Sequence, residues 1–69
     1  MSLPERIIRA RIDAGYKVAA SFADQIAVRP NTLWRYERGM LKPSIDALAR
    51  IARCTGKPMD WFMDDSEAA

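Results

Sequence analysis

The 69-residue chain contains no histidine and a single cysteine, Cys54. Without histidine, the commonest general base and the commonest zinc ligand are both missing, and a lone thiolate cannot complete a thiolate metal site. One cysteine also rules out an internal disulfide, which fits a reducing, cytoplasmic setting. Glycine occurs three times, at Gly15, Gly39 and Gly56, too sparsely for a phosphate-cradling loop. No Ser/His/Asp or Cys/His set can be assembled, so an enzyme is not expected, and neither a cofactor nor a metal is implied. No apolar run approaches the ~20 residues needed to span a bilayer. The opening "MSLPERIIRARIDAG" alternates charged with apolar residues and lacks the apolar block of a signal peptide.

What is present is a soluble, foldable composition with 49% apolar and 29% charged residues. The length allows one small domain with a thin core. Net charge is +2, but it is unevenly spread. Residues 1–42 hold eight Lys/Arg against four Asp/Glu, and residues 43–69 hold three against five. A basic front and an acidic end point to a polyanionic partner for the first part.

Five helices and no strands are predicted. The first covers residues 3–14: Ser2 and Glu5 have capping-box spacing, and Pro4 falls in the first turn. Its apolar stripe is Leu3, Ile7, Ala10 and Ala14, widened by Ile8 and Ile12, and Gly15 stops it. The second covers 18–27, with Ala19, Phe22, Ala23 and Ile26 inward. The third covers 30–38, with Gly39 past its end. Pro43 stiffens the loop "MLKP". The fourth covers 45–54, capped by Ser44, with Ile45, Leu48, Ile51 and Ala52 inward. The short fifth covers 58–63, and residues 64–69 read as a fraying acidic tail.

The third helix, within "RPNTLWRYERG", carries the functional signal. At about 100° per residue, Leu33 lies about 200° and Glu37 about 240° from Asn31, whereas Arg35, Arg38 and Trp34 lie within about 60° of it. One side therefore offers a core leucine. The other offers an amide, two guanidiniums and an indole, with no acid among them. A merely solvated face would favour Glu/Lys pairs. Arginine pairs with the O6/N7 edge of guanine and asparagine with the N6/N7 edge of adenine, so this face has the donors that read DNA. Arg29 precedes the helix and can read a base, cap the helix or meet phosphate. Trp34 can stack on the sugar–phosphate backbone or fold against its own helix. Tyr36 is expected partly in the core, Arg6 and Arg9 on the surface, and Cys54 as a buried small hydrophobe. The turn "AVR" between helices two and three gives the layout of a helix-turn-helix.

These residues carry a resemblance. "FADQIAVRPNTLWRYERG" resembles the helix-turn-helix of the phage-repressor and Cro-like family, also called the xenobiotic-response-element family. "KPSIDALARIARCTGKPMDWFM" resembles its fourth and fifth helices and "RIIRARIDAG" its first, so the likeness runs over residues 6–63. It implies an all-α, compact five-helix domain of lambda-repressor type that binds double-stranded DNA, usually as a homodimer on a two-fold operator. The implied base-reading positions are Arg29, Pro30, Asn31 and Arg35, with Thr32 and Trp34 beside them. Implied phosphate contacts are Lys17 and Val18 at the start of helix two and Arg38 to Lys42 after helix three. An ion pair joining helices one and three is implied between Arg11 and Glu37. Two departures stand out. The glutamine that often opens helix two is replaced by the longer "YKVAAS", and Pro30 replaces a polar side chain that could hydrogen-bond a base.

The segment "PMDWFM" has more large apolar side chains than one helical turn can bury, so Met59, Trp61 and Met63 are the expected homodimer contact. The function expected is a small stand-alone repressor. The alternative keeps the fold but binds protein, as an antitoxin binds its toxin.

Overall fold

Ser2 starts the first helix of the computed structural model, which describes residues 1–63; the expected acidic tail lies outside the described residues. In α1 (Leu3–Asp13) the Ser2 Oγ accepts the Glu5 N–H at 3.4 Å while the Glu5 carboxylate accepts the Ser2 N–H at 2.9 Å. The backbone and hydroxyl hydrogen bonds from Ser2 hold the Glu5 carboxyl below its usual pKa. The remaining helices are α2 (Ala19–Gln25), α3 (Pro30–Glu37), α4 (Ile45–Thr55) and α5 (Met59–Met63). Ser44 Oγ caps α4 by accepting the Ala47 N–H at 3.1 Å.

Each helix buries one stripe against the same centre. Ile7 and Ala10 of α1, Phe22 and Ala23 of α2, Ile26 just past it, Leu33 and Tyr36 of α3, Leu48 and Ile51 of α4 and Phe62 of α5 form one continuous core. The α3 helix packs on α1 and α2, and α1 also packs on α4 and α5. The third helix is thus supported from behind by two others, which leaves one long side of it free.

Four expectations need correction. Ile12 is 52% exposed, because at ~100° per residue it lies about 140° round the helix from Ile7. Ala14 is exposed because the helix has already ended. Ile45 is 66% exposed: as the first residue of α4, its side chain leans toward the helix's free N-terminal end. Arg6 is buried, not on the surface. Its Nε donates to the Met1 carbonyl at 3.2 Å and its Nη1 to the Trp61 carbonyl at 2.9 Å, so it ties α5 to α1.

Candidate nucleic-acid interface

The geometry of this region begins with the turn between α2 and α3. The second helix stops at Gln25, two residues short of the expected end, because Ala27 adopts φ +59°. That left-handed conformation is uncommon for a residue with a Cβ. Three hydrogen bonds hold it. The Ala27 N–H donates to Asp24 at 3.2 Å and the Val28 N–H to Ala23 at 3.0 Å. Arg50 Nε of α4 donates to the Ile26 carbonyl at 2.8 Å. One of the hydrogen bonds that hold the turn thus comes from outside it, from the fourth helix.

Pro30 opens α3 at a position that needs no N–H. Arg29 is the N-cap residue, but its side chain makes no capping hydrogen bond and is exposed. The far end closes in a Schellman arrangement: Gly39 N–H donates to Tyr36 at 3.3 Å and Met40 N–H to Arg35 at 2.9 Å. This requires the φ of +74° that Gly39 takes. A Cβ there would also sit 3.4 Å from Pro4 Cγ, so the loop after α3 lies close against the start of α1.

Between these ends the helix is divided lengthwise. Leu33 and Tyr36 are buried, and Glu37 faces inward to Arg11. Asn31, Trp34, Arg35 and Arg38 are exposed, and Thr32 is half-buried at the margin. Trp34 and Arg38, one turn apart, are in contact: the guanidinium carbon lies 5.1 Å from the indole centroid. The structure thus places an amide, two exposed guanidiniums and an indole on one side, with the free Arg29 side chain at its N-terminal end.

Lys17 and Val18 precede α2 in the chain and Lys42 follows α3; all three are exposed. Val18 is the N-cap of α2 and provides no side-chain cap. The backbone at Lys17 is tethered from within. Arg11 Nη1 donates to the carbonyls of Tyr16 at 2.8 Å and Lys17 at 3.0 Å, while Arg11 Nε donates to Glu37 Oε2 at 2.8 Å. One guanidinium thereby joins α3 to the loop that carries Lys17. Sequence patterning missed these carbonyl contacts, since nothing in the local pattern marks a carbonyl as a partner.

The α5 side chains are less available than their composition implied. Met63 is 53% exposed, but Met59 and Trp61 are half-buried against the core. The Trp61 ring centroid also lies 5.3 Å from the Arg6 guanidinium carbon, 4.6 Å from Lys57 Nζ and 5.0 Å from the Phe62 centroid, with the two rings nearly perpendicular. The other exposed apolar side chains include Met40, Leu41 and Ile45. Among the described residues no helix is long and apolar enough to cross a membrane, and no three His, Cys, Asp or Glu side chains gather as a metal site.

Comparison with known proteins agrees with this arrangement. No curated protein matches the chain. The structure is similar to the DNA-binding domain of the P22 C2 repressor, determined by nuclear magnetic resonance in solution. The TM-score is 0.79 at 21% sequence identity, over 91% of this chain and 82% of that one, a likeness of fold. A family model described as helix-turn-helix matches residues 7–62, most of the chain. With its five helices and its free α3 face, the chain belongs to the helix-turn-helix family, in its phage-repressor and Cro-like form, and is a DNA-binding transcription regulator rather than an enzyme.

Proposed function

We propose that this regulator is a repressor that reads a two-fold operator as a weak homodimer, with the N-terminal part of α3 entering the major groove. The observation that carries this reading is the lengthwise division of α3. Its inner side is fully engaged by Leu33, Tyr36 and Glu37, and its outer side holds unpaired hydrogen-bond donors of the kinds that match base edges. In this reading Asn31 and Arg35 contact bases and Arg29 does so from the helix start. Thr32 and Trp34 border them. Lys17, Arg38 and Lys42 bind phosphate and set the register without reading sequence.

Selection of binding sites from random duplex DNA, followed by titrations of variants, tests these roles. Arg35→Ala and Asn31→Ala should each relax preference at one half-site position and lose about 1–3 kcal/mol on the selected operator. Lys42→Ala should weaken selected and random DNA alike. If Arg35→Ala weakens both kinds of DNA equally, its assignment to a base is wrong.

A two-fold operator needs two copies of α3 about 34 Å apart. Of the expected dimer residues, Met63 has the most accessible side chain, and Met59 and Trp61 flank it from the core side. The reading assigns the contact to this edge of α5. Met63→Asp should shift a concentration-dependent monomer–dimer equilibrium toward monomer in sedimentation. It should also weaken the full operator by about tenfold, equivalent to ~1.4 kcal/mol, while half-site binding stays unchanged. Equal binding of full and half sites by the unmodified protein would remove the dimer from the reading.

A further inference from the structure

We propose that Trp34 is a positioning residue for Arg38: the indole holds the guanidinium one turn along α3 so that it meets the DNA phosphate backbone already oriented. The inference rests on the DNA reading above and gives Trp34 a role different from reading a base.

Arg38 follows the last residue of α3, and its backbone is fixed because its N–H donates to the Trp34 carbonyl at 3.0 Å while the next N–H, of Gly39, donates to Tyr36. Its side chain extends into solvent, where a free arginine would sample many rotamers. The structure shows the guanidinium carbon 5.1 Å from the Trp34 ring centroid instead. Among the described residues no carboxylate pairs with Arg38, so the indole is the group that orders it. A guanidinium over a ring face keeps its in-plane N–H donors available, and those are the groups that grip a phosphate. A carboxylate partner would have occupied them and cancelled the charge. Indole is also the aromatic ring that attracts a cation most strongly. With 47% of its surface exposed, Trp34 is poorly explained as a core residue. Engagement with Arg38 also leaves it less free to act as a base contact of its own.

The test uses the salt dependence of operator binding, which counts phosphate contacts. Trp34 carries no charge, so a merely structural or apolar role would leave the log–log slope untouched. If it positions Arg38, Trp34→Ala should make the slope of the dimer shallower by about 2, one phosphate contact per protomer, and weaken operator binding by about tenfold. Trp34→Met, which keeps bulk but has no ring face, should behave like Trp34→Ala. Trp34→Phe should recover most of the slope. In an Arg38→Ala background the Trp34→Ala change should have almost no further effect. A steep slope that Trp34→Ala and Trp34→Met leave unaltered would overturn the positioning role while sparing the DNA reading. So would an equal loss of affinity with and without Arg38, which would put Trp34 itself on the DNA. A near-zero slope for the unmodified protein would overturn both.

Discussion

Arg11→Ala should lower stability by about 3–5 kcal/mol, a large share of the ~5–15 kcal/mol that holds a small domain together. The side chains of Arg11 and Glu37 are 10% and 11% exposed, and their Nε–Oε2 distance is 2.8 Å. Removing the guanidinium strands a carboxylate in a low-dielectric site, and this unpaired charge costs more than the lost attraction alone. The change also releases the carbonyls of Tyr16 and Lys17, which the same guanidinium binds. For a domain of this size the melting temperature should fall by about 15 °C or more. Glu37→Ala should cost less, nearer 3 kcal/mol, because the stranded arginine keeps two carbonyl acceptors. Joint replacement by Arg11→Met and Glu37→Leu should recover much of the stability, since neither charge is then left alone. It should not restore DNA affinity, because the Lys17 loop stays untethered. Unfolding by urea, followed by circular dichroism, measures all three. Unchanged midpoints in both single variants would show that the pair holds nothing together.

Operator affinity should fall roughly a thousandfold between 50 and 200 mM salt. Lys17, Arg38 and Lys42, presented twice by a dimer, would neutralise on the order of six phosphates, and release of their counterions gives a log–log slope of about −5. The exposed cations flanking α3 supply the charge, and Glu37, the one acid of that helix, is turned inward and paired with Arg11. Fluorescence anisotropy with a labelled operator at four or five salt concentrations gives the slope directly. A slope near −1 would mean that these side chains do not meet the backbone. A steep slope with no preference between operator and random DNA would leave phosphate binding intact but remove Asn31 and Arg35 as readers of sequence.

The sequence alone determined the helices and most of their inward faces, because those depend on local rules. Ser2 with Glu5, Ser44, Pro30 and the glycines after α1, α3 and α4 mark helix ends through backbone hydrogen bonding and φ preference, which neighbouring residues settle among themselves. The 3.6-residue period separates Leu33 from Asn31 and Arg35 without reference to any other helix. The outward face of α3 was therefore legible, as was the prospect of Glu37 lying inward. Three features were settled only by the tertiary structure. Arg6 looked like a surface charge, yet it is buried by a carbonyl 55 residues away in α5. The early end of α2 depends on Ala27 taking a conformation that alanine does not favour, stabilised in part by Arg50 reaching the Ile26 carbonyl from α4. The "PMDWFM" surplus looked available to a partner, but Phe62 enters the core and Trp61 is met by the Arg6 guanidinium from α1. In each case the deciding partner is distant in sequence and is often a backbone carbonyl or an aromatic face. No spacing rule marks such groups, because any residue can offer a carbonyl, and only packing decides which one a long cationic side chain can reach.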